Sequence, residues 1–101
     1  MYLVHIRLLP PPGAVPWPED LVALMSRDQG PDVDNRIEHV SPHPHARPHP
    51  VVGVYVQAST LRAAEAATER AWHRAVLAHP PLGAWTVLSV EAPLLRRHLD
   101  D

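Results

Sequence analysis

The sequence predicts an α+β domain in which two helices cover one face of a four-stranded antiparallel sheet. Two observations predict it: four segments alternate in the manner of half-buried strands, and two segments have the 3.6-residue period of amphipathic helices. Their order along the chain is β-α-β-β-α-β. With right-handed crossover connections, that order gives the ferredoxin-like, split βαβ sandwich, with the first and third strands in the centre of the sheet. A length of 101 residues fits one domain, 1–101.

The first half of the chain is predicted to hold a strand, a helix and a second strand. Strand one runs from Tyr2 to Leu9 and ends at three consecutive prolines. Helix one is expected from about Pro18 to Gln29, because a proline suits the first helical position and two acids follow it. Strand two, 33–40, alternates between a face that includes Ile37 and His39 and a charged face. That charged face favours the edge of the sheet.

Residues 41–50, here called the proline connector, separate strands two and three. Four prolines remove four backbone donors, so neither a helix nor a central strand can form there. The segment also carries the histidines His43, His45 and His49. We expect a stiff, exposed and mobile hairpin loop.

The second half is predicted to contain a strong strand, a long helix and a last strand. Strand three runs from Val51 to Ala58, and Ser59 or Thr60 can cap a helix from about Leu61 to Ala78. Strand four runs from Trp85 to Ala92. The helix has an apolar stripe that should lie on the sheet: Leu61, Ala64, Thr68, Ala71, Trp72 and Ala75.

The composition excludes several classes of function. The chain has no cysteine, so disulfides, thiolate metal sites and cysteine nucleophiles are absent. A net charge of −2 without a clustered basic face argues against nucleic-acid binding. No apolar run approaches the ~20 residues of a membrane span and no signal peptide is recognisable, so we expect a soluble, cytoplasmic protein. No glycine-rich phosphate loop or catalytic motif is present, and we expect no cofactor.

One face of the predicted sheet lacks helices, and its composition is the main functional signal. The residues assigned to this face are Leu3, His5, Arg7, Leu9, Val51, Gly53, Tyr55, Gln57, Trp85, Val87, Ser89 and Glu91. A surface this apolar usually marks an interface or a ligand groove. We therefore expect a homodimeric accessory or binding protein that holds an organic small molecule or a peptide on the open face, with Arg7 and Glu91 pairing between sheets. In that role Trp85, Gln57, Ser89, Glu91 and His39 are the candidate ligand-binding residues.

An enzymatic alternative places catalysis on the same face. His5 would act as the base, and Tyr55 or Arg7 would stabilise developing negative charge, without a cofactor. An isomerase or a cyclase would fit this chemistry. In layout the chain resembles small proteins of the dimeric α+β barrel superfamily, although no site residue is carried over from them.

A third possibility is a metal site in the proline connector. His43 and His45 lie two apart in an extended chain and should point the same way, with His39 and His49 able to close a site. The spacing lacks the helical i, i+4 pattern and no acid lies among these histidines. We therefore expect a solvated loop without a structural metal.

Overall fold

A computed structural model of the chain describes residues 1–27, 29 and 35–93. The protein is α+β. Its sheet contains β1 (Tyr2–Leu9), β2 (Arg36–His43), β3 (Val51–Gln57) and β4 (Thr86–Glu91) in the order β2-β3-β1-β4, and all neighbouring strands are antiparallel. The helices are α1 (Leu21–Ser26) and α2 (Leu61–Ala78), and a 3-10 helix follows at Pro80–Ala84. The predicted start of strand two, at Val33, lies outside the described residues.

The core lies between the helices and the inner face of the sheet. Alternate residues of the two central strands are fully buried: Val4, Ile6 and Leu8 on β1, and Val52, Val54 and Val56 on β3. Helix α2 contacts every strand, and α1 packs against α2 and β2. Both central strands, β1 and β3, are those that the element order predicts to be central.

Helix α2 has the predicted bounds. The Thr60 hydroxyl accepts a hydrogen bond from the Ala63 N–H at 3.1 Å, which supplies the expected cap. The small side chains of the stripe let the helix lie close to the sheet, and Trp72 fills the remaining volume at 4% exposure. Leu61, at the first turn, departs from the prediction because it is 37% exposed.

Helix α1 is shorter than predicted. Among the described residues of the predicted range, only Leu21–Ser26 is helical, although the buried positions Leu21, Leu24 and Met25 are those expected. Asp20 has non-helical dihedral angles and makes no capping bond with its side chain, and Arg27 is extended. The chain before Leu21 is instead held outside the helix while Trp17 packs against the core and Trp85.

Strand β2 ends later than predicted, at His43, and it continues into the proline connector. Pro42 pairs with Val52 of β3. This is possible because β2 is an edge strand, so the missing proline N–H removes no bond from the middle of the sheet.

A β-bulge in β2 also changes which residues share a face. The register shifts between Ile37 and His39, so Glu38 is an extra residue. Ile37 and Val40 are therefore both buried on the helix side, whereas His39 is exposed on the other side. The predicted common face for Ile37 and His39 is wrong for this reason.

A second bulge, in β4, overturns two further assignments to the open face. Ser89 lies opposite Arg7, but the next pair is Val87 with Leu8, so Leu88 is the extra residue. Val87 consequently lies on the same side of the sheet as the buried Leu8, although it is 38% exposed there. Trp85 lies before β4 and packs against the edge of the core beside Trp17.

No helix in the described part of the chain has the length and apolar character needed to cross a membrane.

Candidate functional site

The side of the sheet opposite the helices, here called the bare face, has polar rows across its middle and apolar residues toward both ends of the strands. The strand registers define three rows of side chains across this face: His39, Tyr55 and Leu3; Ser41, Gly53, His5 and Glu91; His43, Val51, Arg7 and Ser89. Leu9 extends the apolar rim at one end, and it is 45% exposed. The bare face thus combines hydrogen-bonding side chains with exposed apolar side chains.

Gly53 forms the floor of the middle row. It is buried although it lies on the bare face, because neighbouring side chains close over it. A Cβ atom placed there would lie 3.7 Å from both His5 Cδ2 and Leu3 Cδ1 and 3.6 Å from the Ser41 carbonyl oxygen. The missing side chain lets the imidazole of His5 lie low on the sheet, where it is half-buried.

The position of His5 affects its protonation. Burial lowers the pKa of the His5 imidazole below its usual value, and the nearby positive charge of protonated His43 lowers it further. At neutral pH His5 is therefore in its neutral form, which can accept a proton or a hydrogen bond.

Arg7 lies in the next row, where a histidine of the proline connector is its hydrogen-bond partner. Its guanidinium Nη2 donates to His49 Nδ1 at 3.2 Å, so the hydrogen bond given by the structure goes to an imidazole and not to a carboxylate. Directly opposite Arg7, the Ser89 hydroxyl is buried and has no hydrogen-bond partner. A guanidinium next to an unpartnered hydroxyl is an arrangement suited to a carboxylate.

The proline connector supplies two more members of the site. Ser41 and His43 continue β2 and face the bare side, where Ser41 Oγ and His43 Nε2 are 3.0 Å apart. A turn closed by a hydrogen bond from the Ala46 N–H to the His43 carbonyl then changes the direction of the chain. The Arg47–Pro48 peptide bond is cis, and His49 returns to the bare face beside Arg7.

This turn overturns the predicted common direction of His43 and His45. His45 lines a cavity at the end of the sheet, together with Pro42 and Pro44, while His43 hydrogen bonds Ser41 on the bare face. The two histidines meet at a shallow depression at the turn itself, which both of them line. The described residues include no group of three or more histidines and acids positioned to hold a metal ion.

The structure brings together some of the predicted site residues and separates others. His5, Arg7, Ser89 and Glu91 are neighbours in the two polar rows. Tyr55 forms a separate aromatic pair with His39, with ring centroids 5.9 Å apart. Gln57 lies at the far end of β3 opposite Arg36, and Trp85 is not on this face.

Sequence reasoning missed Ser41 as a site residue and considered His43 and His49 only as metal ligands. The available signal was the alternation of Ser41, Pro42 and His43, which continues the strand pattern beyond Val40. It is overlooked when proline is taken to end every strand, although edge strands tolerate it.

Comparison with protein-family models, with curated proteins and with solved structures found no match to this chain.

Proposed function

We propose that this chain is a small binding protein that self-associates through its bare face and holds an organic acid there. The observation that carries the proposal is the cross-strand position of Arg7 directly opposite Ser89, whose buried hydroxyl has no hydrogen-bond partner. An unsatisfied buried hydroxyl costs about 1–3 kcal/mol, which a bound carboxylate would recover. The carboxylate could belong to a small molecule or to the end of a peptide.

The apolar rim supports self-association. Leu9 and Tyr55 are 45% and 39% exposed, and Leu3 and Val51 lie between them on the same face. Two copies placed face to face would remove this surface from water and would enclose the polar rows. Glu91 of one copy could then approach Arg7 of the other, an ion pair that the strand registers do not set up within one chain.

Self-association is tested by a charge placed on the bare face. We expect the protein to sediment as a dimer at micromolar concentration and Tyr55→Glu to sediment as a monomer, because burying an unpaired carboxylate in the interface is costly. Leu77→Glu is the matched control: Leu77 is 82% exposed on α2, on the other side of the molecule. A monomeric wild-type protein, or a dimer that survives Tyr55→Glu, would show that the bare face is not the interface.

A second candidate function has a specific observation in its favour. The neutral, half-buried His5 has the properties of a general base, and the Arg7 guanidinium in the next row can stabilise an anion. A cofactor-free isomerase or cyclase acting on the bound acid would use these two groups.

One experiment tests binding and separates the two candidate functions. We expect native mass spectrometry of the freshly purified protein to show a bound organic acid whose occupancy falls at least about tenfold in Arg7→Met. Arg62→Met, which changes an exposed arginine of α2, should retain the ligand. If the wild-type protein converts this acid to a product and His5→Ala does not, the chain is an enzyme. An unchanged ligand in both indicates a binding protein, and the absence of any difference between Arg7→Met and Arg62→Met contradicts the proposed site.

We also propose that the sandwich is of the ferredoxin-like class and that the protein acts in the cytoplasm. The antiparallel order with β1 and β3 between β2 and β4, and helices that follow β1 and β3, support the first proposal. The absence of cysteine is compatible with the reducing compartment named in the second.

A further inference from the structure

A second candidate site lies away from the bare face, at the end of the sandwich where β1 and β2 end and β4 begins. It is a cavity of about 440 Å³, here called the end cavity. Its lining residues come mainly from the segment before α1, with three from the proline connector: Ala14, Val15, Pro16, Trp17, Pro18, Glu19, Leu21, Val22, Pro42, Pro44, His45 and Trp85. This volume lies within the range of small-molecule sites, roughly 300–1,000 Å³.

The walls of the end cavity are apolar and conformationally restricted. Four prolines line it, and each has a fixed φ angle, so little order has to be gained when a ligand enters. The alternation of β2 contributes to this wall: Pro42 is turned to the cavity side, while its neighbours Ser41 and His43 face the bare side. The same repeat of proline and histidine therefore contributes to two different sites.

Two indole rings form the aromatic part of the wall. The centroids of Trp17 and Trp85 are 5.4 Å apart and the rings are tilted by 53°, so one ring cannot cover the face of the other completely. The Trp17 Nε1 atom is buried and has no partner. The surface that this indole offers to the cavity is consequently the carbon part of the ring, whose faces carry partial negative charge.

The lining of the end cavity contains one carboxylate and neither lysine nor arginine. Glu19 is exposed at the cavity, and the other lining side chains are apolar except for His45. A carboxylate and two indole rings that line the same cavity favour a cation, because indole is the aromatic side chain that attracts cations most strongly. An anion would meet both the carboxylate and the negative ring faces.

We infer that the end cavity binds an organic ammonium ion carried on an apolar body. The apolar body packs on the prolines and the aliphatic side chains, and the ammonium group lies between Glu19 and the indole rings. This site shares no lining residue with the Arg7 and Ser89 pair, so it stands independently of the function proposed for the bare face.

Titration with three probes of similar size and different charge tests the inference. Benzyltrimethylammonium should bind one per chain with a Kd about fivefold or more below that of benzyl alcohol, and phenylacetate should bind this site more weakly than either. The chain has three tryptophans, so indole N–H resonances report the location. Those of Trp17 and Trp85 should shift, while that of Trp72, in the core under α2, should not. Equal affinity for the cation and the alcohol, or a shift confined to Trp72, would overturn the inference.

Three variants distinguish binding at this site from nonspecific binding of an apolar cation. Val15 is 64% exposed and Leu77 is 82% exposed, and only Val15 lines the end cavity. Val15→Arg should therefore abolish binding of benzyltrimethylammonium, whereas Leu77→Arg should retain it. Glu19→Gln should raise the Kd of the cation roughly two- to fivefold and leave that of benzyl alcohol unchanged. Binding that persists in Val15→Arg, with the melting curve unchanged, contradicts the assignment.

Discussion

At the scale of single residues, the properties of His5 depend on its neighbours. Gly53 has no side chain, so the imidazole lies against the sheet and loses water on one side. A positive charge on His43 lowers the pKa of His5 further, because the two charged rings repel each other. The sequence identifies His5 as a candidate because it falls on the uncovered face of a central strand. The contribution of His43 depends on where the connector turns, which the sequence pattern does not specify.

The first prediction at this scale concerns the dependence of stability on pH. The folded-state pKa of His5 is lowered, so the unfolded chain takes up the proton more readily. The contribution of His5 to the free energy of unfolding is therefore complete above the unfolded pKa of about 6.5 and decreases as the pH falls below it. We expect His5→Gln to lose less stability than the wild-type protein between pH 7 and pH 5 in urea titrations.

The control for this prediction is another histidine. His73 is exposed on α2, and His73→Gln should follow the wild-type pH dependence. If His5→Gln and the wild-type protein lose the same free energy over this pH interval, the half-buried neutral imidazole is not the origin of the effect.

At the scale of elements, one side chain joins the end of α1 to the edge of the sheet. The amide of Gln29 donates from Nε2 to the carbonyl oxygens of Ser26, at 2.8 Å, and Ile37, at 3.2 Å. Its Oε1 accepts from the N–H of Ile37. The side chain thus pairs with both backbone groups of an edge residue, as a further strand would. The sequence marks this position only as the end of a helix.

The prediction for this element is a loss of stability on Gln29→Glu. A carboxylate can accept from the Ile37 N–H, but it cannot donate to the two carbonyl oxygens and repels them. We expect the free energy of unfolding to fall by about 1–3 kcal/mol in urea titrations. Gln57→Glu makes the same chemical change at an exposed position of β3, and we expect less than about 0.5 kcal/mol there. Equal effects of the two substitutions would mean that the Gln29 bridge contributes nothing.

The elements differ in how well the sequence predicts them, for physical reasons. Helix α2 has 18 residues, a continuous apolar stripe and a capping threonine, so its local signals agree. Helix α1 has only six residues, and packing of Trp17 overrides the helix-start signal at Pro18. Bulges are not visible in one strand alone, because an extra residue exists only relative to its partner. For this reason, alternation wrongly predicts a common face for Ile37 and His39, and it assigns Val87 and Trp85 to the wrong side of the sheet.

At the scale of the whole molecule, the α+β class and the central position of β1 and β3 follow from alternation and element order. The site is predictable only in part. His5, Arg7, Ser89 and Glu91 come from strands whose faces could be assigned. His43, His49 and the end cavity depend on the path of the proline connector. That path is fixed by its pairing with β3 and by contacts with distant residues, which local propensity does not encode.

The two bulges have a consequence for how copies of this protein can meet. Both extra residues, Glu38 and Leu88, lie on the outer strands of the sheet, and the same outer strand β2 contains Pro42. Each of these features interrupts the regular row of backbone donors and acceptors that a second sheet would need to extend the first. These features therefore disfavour the addition of a second sheet at either edge, β2 or β4. The contact through the bare face that we propose would occupy that face in both copies, so association by that route would end at a closed pair.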